Sequence, residues 1–332
     1  MCHISTSISN SGECQKGKEG LERYSGNPIL LPNQDAWWES KAVFNPAVLY
    51  DGKKIHMLYR AVGEYERYVS RVGYAFSEDG FNFKRTKSVV LGPNEGYEKY
   101  GTEDPRLIEI DNRVYVSYVV VSDYVTSGPI NSSTALATTD DYYHHTRLGI
   151  ITGKGSDNKD VVLFPERINR EYLILHRPRS WIGPKFGVDK PSIWIAEGNT
   201  LMSFDRHALL MKPERDWEAL KIGSGPPPIK TKQGWLLIYH GVDKNLVYRA
   251  GAALLDLNNP FEVIARTNRP VLEPREPYER IGDVNNVVFP TGACVIGKRL
   301  HVYYGGADKV CCLAVVELDP FLEFIIEGCK NN

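Results

Sequence analysis

Two acids stand side by side in "YGTEDPRLIEI", residues 100–110: Glu103 and Asp104. Adjacent carboxylates can share acid and base work when their surroundings separate their pKa values. An aspartate before proline is also an ordinary turn or cap residue, so the pair takes its meaning from its company. Side chains alternate faces along an extended strand. That alternation predicts one carboxylate turned toward a site and the other pairing sideways with Arg60 or Arg106. Basic residues recur at comparable places. Arg60 ends "MLYRA", Lys159 precedes a strand in "NKDVVLFPE", His176 and Arg177 end "LILHRP", and His240 ends "LIYHGV". Each alone reads as a solvated edge charge. Together they suit a mouth that holds an anion such as phosphate. The comparable fifth place, "YYGGAD", ends in Asp308.

These residues lie on a repeated unit. "NPAVLYDGKKIHMLYRAVG", "EDPRLIEIDNRVYVSYVVVSD", "FPERINREYLILHRPRS", "GPPPIKTKQGWLLIYHGVD" and "FPTGACVIGKRLHVYYGGAD" follow one another along the chain. Each has a proline near a strand start (Pro46, Pro105, Pro165, Pro228, Pro290), a polar turn, and a second strand rich in aromatic and β-branched residues. The recurrence is about 60 residues, longer than the common propeller repeats. The intervening segments read as outer strands. Five such units, each leaving sheet faces to cover, predict an all-β, five-bladed β-propeller. A proline lacks the ladder N–H and is tolerated at a strand start. The channel-facing places are then Asn45, Glu103 with Asp104, Phe164 with Glu166, Gly225 and Phe289. Helical periodicity is weak everywhere, with a turn or two in "KPERDWEALKIG" and another in "GKEGLERY". One propeller spans residues 1–332, with 1–25 a polar extension.

Composition narrows the class. The 332 residues are 42% hydrophobic, enough for a substantial core. Lys+Arg 40 against Asp+Glu 41 gives a net charge of -1, which argues against a nucleic-acid partner. No apolar run approaches the roughly 18 residues of a membrane helix, and the polar N-terminus lacks a signal-peptide core. A soluble cytoplasmic protein is expected. The six cysteines show no metal spacing, and Cys294, Cys311 and Cys312 read as small core hydrophobes. His144 and His145 read as surface residues rather than metal ligands. There is no Walker-type loop, H-E-x-x-H or G-x-S-x-G.

Taken together, "NPAVLYDGKKIHMLYRA", "GTEDPRL", "VVLFPERI", "LHRP", "YHGV", "GAALLDLNNP", "GDVNNVVFPTG" and "YYGGAD" resemble glycoside hydrolase family 130, β-mannoside phosphorylases with some β-mannosidases. The resemblance runs in order over most of the chain. It implies a five-bladed propeller, in agreement with the repeat count. It implies Asp104 as general acid, acting directly or through a sugar hydroxyl. Phosphate would be held by Lys159, Arg177 and His240, with Arg60 nearby. Sugar would be held by Asn45, Arg60, Glu103, Tyr248 and Asp308. Phosphate is already an anion, so phosphorolysis needs oriented cations rather than a base. A β-mannoside would yield α-D-mannose 1-phosphate. The expected partners are a β-mannosyl oligosaccharide and phosphate, with no metal or other cofactor, no nucleic acid and no membrane; a homo-oligomer is left open.

Two alternatives share the fold. A β-mannosidase would need a second carboxylate as base, with Glu166 and Asp283 the candidates. A glycan-binding propeller would need no catalysis. Trp37, Trp38 and Trp181 could stack on sugars or serve the core. The linkage and acceptor stay open, set by loops such as 61–70 and 180–191.

Overall fold

The computed structural model describes residues 20–94, 96–122, 132–153 and 156–330. Their strands form five antiparallel sheets, each a blade; in four of them the strands run in chain order from the central channel outward. Blade 1 comprises Ala42–Tyr50, Ile55–Val62, Ser70–Ser77 and Lys84–Arg85. Blade 2 comprises Thr102–Ile110, Arg113–Val121, Ser132–Thr139 and Thr146–Ile150. Blade 3 comprises Asn158–Leu163, Tyr172–Pro178, Ile193–Gly198 and Arg206–Met211. Blade 4 comprises Lys221–Ser224 with the short Ile229–Lys230, then Trp235–Val242, Tyr248–Leu255 and Val263–Arg266. Blade 5 comprises Val288–Ile296, Arg299–Gly306 and Val310–Glu317.

The fourth strand of blade 5 comes from the other end of the chain. Glu22–Arg23 pairs antiparallel with Ala314–Val315. "GKEGLERY" therefore supplies a strand, not the expected helical turn, and the expected extension 1–25 enters the fold before its end. Its residues 1–19 lie outside the described residues. Closing the ring with an N-terminal strand covers an edge that would otherwise offer unpaired backbone groups.

Hydrophobic clusters fill each seam between neighbouring blades. Leu58 and Tyr74 of blade 1 meet Leu107 and Val116 of blade 2, and Val162 and Ile195 of blade 3 meet Ile222 and Trp235 of blade 4. Sheets covered on both faces explain why the middle strands read as continuous apolar runs instead of strict alternation. Cys294, Cys311 and Cys312 are buried, unbridged members of these cores.

One helix departs from the expectation of weak helicity. Leu318–Lys330 forms thirteen residues of α-helix directly after the last blade strand. Phe321, Leu322 and Ile325 repeat at helical spacing and seal the blade 4–blade 5 seam. Asp319 and Pro320 in the first turn are the local start signal for this helix, and the expectation of weak helicity passed over it.

Candidate active site

The inner strands of blades 1, 2 and 3 share one irregularity. Pairing skips between Phe44 and Ala47, between Glu103 and Arg106, and between Lys159 and Val162. Each skip is a bulge that bends the strand and re-aims a side chain. The first residue of each carries a left-handed backbone: Asn45 at φ 50, Asp104 at φ 46, Asp160 at φ 57. Asn and Asp are the non-glycine residues that tolerate this region best. Alternation fails at such a bulge, and this corrects the expectation that Glu103 and Asp104 diverge. Both reach Arg60, whose Nη2 lies 2.7 Å from Glu103 Oε1 and whose Nη1 lies 3.1 Å from Asp104 Oδ1.

Asp104 is held from several sides. Asn45 Nδ2 donates to Asp104 Oδ1 at 2.8 Å. Arg60 is fixed in turn by Ser70 Oγ, 2.9 Å from its Nε, and lies over the Phe44 ring. Lys159 Nζ reaches Glu103 Oε2 at 3.3 Å. Among the described residues Arg106 makes no salt bridge to a carboxylate; its guanidinium donates to the carbonyls of Asp104, Pro105 and Gly225. Burial pushes the Asp104 carboxyl up, but Arg60, then Arg106, Asn45 and Lys159 outweigh it and hold it below the usual carboxylate range.

A second cluster faces it from blades 3 and 4. Arg177 Nε donates to Asp160 Oδ2 at 2.6 Å, and His240 Nε2 lies 3.7 Å from the same oxygen. Gly223 makes the approach possible: a Cβ there would sit 2.2 Å from Asp160 Oδ2. Burial drives the His240 pKa down to about 3, against the pull of Asp160 and with Arg177 adding to the fall. His240 is thus a neutral imidazole at pH 7, not the cation expected from sequence. Burial, then Arg177, brings Lys221 down to about 8, and its Nζ lies 5.1 Å from the centre of the Tyr248 ring. Tyr248 also stacks beside His240 and meets Phe289 edge-on. Asp308 sits on a left-handed turn, φ 49. Burial lifts its pKa to about 7 against Arg60, with Asp104 adding to the rise.

The pairing register explains the grouping. Arg60 lies opposite Phe44, Arg177 opposite Lys159, and His240 opposite Gly223. All three therefore occupy one position in the repeat, beside the bulge or its counterpart. Blade 5 has Gly305 there, opposite Phe289, where a Cβ would come 2.2 Å from Asn45 Oδ1. Asp308 lies three residues further on.

Known proteins answer to this arrangement. Residues 21–327 match the glycoside hydrolase 130 family model, described as beta-1,4-mannooligosaccharide phosphorylase. A 1,2-beta-oligomannan phosphorylase of Thermoanaerobacter sp. (strain X514) is 41% identical over 90% of this chain and 97% of its own. A beta-1,2-mannobiose phosphorylase of the same organism is 41% identical with the same coverage. The solved beta-1,2-mannobiose phosphorylase of Listeria innocua, in complex with beta-1,2-mannobiose, superposes with a TM-score of 0.81 at 29% identity, covering 94% of this chain and 99% of that one. The chain belongs to glycoside hydrolase family 130.

Within this family member, the named residues Asn45, Arg60, Glu103, Asp104, Lys159, Arg177, His240, Tyr248 and Asp308 converge on one channel mouth. Several alignments behind them need correction. Lys159 lies within the third inner strand, not before it. Pro165 follows that strand, so the counterpart of Asn45 and Asp104 is Asp160, and Phe164 and Glu166 are displaced from the channel. Phe164 packs on Trp235 in the seam, and Glu166 pairs with Lys230 at 2.5 Å. Pro228 likewise falls after Lys221–Ser224. Asp283 stays near the mouth, where it accepts a hydrogen bond from Tyr68. Trp38 is core, stacked on Tyr59; Trp37 lies exposed beneath Arg71; Trp181 packs against Phe186, Trp194 and His207. His144 is exposed and bonded to Asp141. Sequence reasoning missed Asp160 and Lys221. Asp160 was findable as the acid one residue after Lys159, matching the offset of Asp104 from Glu103.

Proposed function

We propose that this family 130 enzyme is an inverting β-mannoside phosphorylase acting on β-1,2-linked mannooligosaccharides. Both relatives at 41% identity are named for β-1,2 linkages, and they outweigh the β-1,4 wording of the broader family description. The observation that carries the phosphorylase reading is a pair of buried guanidinium donors without partners among the described residues, Arg177 Nη1 and Arg106 Nη2. Buried nitrogens without a hydrogen bond also occur singly away from the mouth, at Arg85, Trp194 and Arg215; two guanidinium donors at one channel mouth mark a place for a ligand. Beside Lys159 and Lys221, that ligand is an anion.

Asp104 gives its proton to the glycosidic oxygen, directly or through a sugar hydroxyl, as the C1–O bond breaks. A phosphate oxygen bonds to C1 from the opposite face, so a β-mannoside gives α-D-mannose 1-phosphate. The proton carried in by hydrogenphosphate balances the one Asp104 gives up. Asp104 is ionised while the site is empty. Bound phosphate offsets the field of Arg60, Arg106 and Lys159, and so lets Asp104 hold its proton in the ternary complex. The chain's own cations orient the nucleophile, and no metal or organic cofactor enters the scheme. Glu166, beyond the inner strand and paired with Lys230 at the surface, lies away from the mouth where a hydrolytic base would be needed. No helix among the described residues is long and apolar enough to cross a membrane; the unbridged cysteines favour a reducing cytoplasm.

The test is kinetics at varied phosphate. Wild type should release α-mannose 1-phosphate from β-1,2-mannobiose only when phosphate is present. Arg177→Ala removes a charge-assisted contact, so apparent phosphate affinity should fall about 10- to 100-fold while mannose affinity in the reverse reaction changes little. Free mannose at full rate in phosphate-free buffer would refute the reading.

A further inference from the structure

One residue in the anion cluster has the wrong charge for it. Asp160 is a carboxylate, 5% exposed, set among the side chains that would hold phosphate. Arg177 and His240 both approach its Oδ2; among the described residues no hydrogen bond reaches Oδ1. Its left-handed bulge, the same device that aims Asp104, turns it to the channel. A bare carboxylate repels a fully ionised anion. It attracts one that carries an O–H.

We propose that Asp160 is the residue by which this site tells phosphate from sulfate: its free oxygen accepts the O–H of hydrogenphosphate, which sulfate lacks at neutral pH. The inference rests on the phosphorylase reading above. Sites built to bond a particular O–H reject analogues without it, because a buried group is then left unpaired, and here like charges would also face each other. Burial pushes the Asp160 carboxyl up, but Arg177 and Arg106 beside it outweigh that and keep it ionised well below neutral pH. It therefore remains an acceptor throughout the working range. Both Arg177 and Asp160 are held in place by their own pair, so the geometry exists before phosphate arrives.

The experiment compares sulfate inhibition with phosphate KM at constant ionic strength, pH 7. In wild type, sulfate should compete poorly. In Asp160→Asn, the ratio of sulfate inhibition constant to phosphate KM should fall by about tenfold or more. Asp160→Glu, which keeps an acceptor, should retain more of the discrimination than Asp160→Asn. A purely structural role would weaken both anions alike and leave the ratio fixed. An unchanged ratio in a folded, phosphate-dependent Asp160→Asn enzyme overturns this inference and leaves the phosphorylase reading standing. Product formation without phosphate overturns both. If Asp160→Asn does not fold, thermal shift on wild type decides: phosphate should raise Tm and sulfate at equal concentration should not, and equal stabilisation overturns the proposal.

Discussion

The blades and the channel mouth use the same chemistry to opposite ends. Away from the channel, four blades carry a buried glutamate bonded to a tyrosine of the second strand and an arginine of the outermost strand. Glu39 takes Tyr59 and Arg85, Glu98 takes Tyr118 and Arg147, Glu218 takes Tyr239 and Arg266, and Glu279 takes Tyr304 and Arg23. Each tyrosine directly precedes the repeat position that holds Arg60, His240 or their counterparts. The Glu218 clasp is fully occupied: Oε1 accepts from Tyr239, and Oε2 from Arg266 and the backbone of Glu214 and Arg215. At the mouth, Arg177 and His240, one residue beyond that tyrosine position, and Arg106 on the inner strand of blade 2 each leave a buried nitrogen unpartnered among the described residues. A satisfied polar network fixes a shape; an unsatisfied one waits for a ligand. Blade 3 breaks the pattern, with His176 in the tyrosine's place, bonded to Asn158 and to His207 of the outer strand.

The comparison predicts that stability and activity separate by region. The largest effect is expected in a clasp. Glu218→Ala leaves Arg266 buried without its counter-charge, which should cost about 3–5 kcal/mol of stability. Activity per folded molecule should be unchanged at a temperature where the variant is folded. Denaturant unfolding together with kcat measures both. A stable variant, or a folded one with impaired turnover, would break the division.

Next comes the mouth. Asp104→Asn keeps the size, the left-handed backbone and most hydrogen bonds but loses the transferable proton. Turnover should fall about 100-fold or more, with Tm unchanged or higher, because no clasp is touched. Near-normal turnover would remove Asp104 from the role of acid.

How much of this division could be read from sequence depends on the range of the interactions. Blade number was legible, because turn residues and strand pairs recur locally. Blade register was not. Prolines mark the bulge in blades 1 and 2 (Pro46, Pro105), but Val161 follows Asp160 in blade 3, so aligning on Pro165 shifted that repeat by several residues. The clasps had a local signal that went unused: an aromatic–glutamate pair before each inner strand, Trp38-Glu39, Tyr97-Glu98, Trp217-Glu218 and Tyr278-Glu279. Their partners lie far along the chain, Arg23 and Glu279 being 256 residues apart, so nothing nearby shows that these acids are buried. The neutrality of His240 was illegible for a related reason, since burial by several blades sets it.

The smallest expected effect tests the same division from the side of the mouth. Asp308 belongs to the unsatisfied region, and its pKa rises from the ordinary 3.8 to about 7. Between those values the unfolded chain has lost this proton while the folded chain keeps it. The folded state then binds more protons, so stability contributed by this group declines as pH rises through the window, and the full cost is present above about pH 7. Asp308→Asn cannot ionise and should not carry that cost. Its Tm should rise relative to wild type on going from about pH 5 to about pH 8, by about 2 °C or more. Clasp variants should lower Tm without altering this pH slope. An Asp308→Asn slope identical to wild type would mean that the carboxyl is already ionised at the mouth, and that the region costs less stability than its unpaired groups imply.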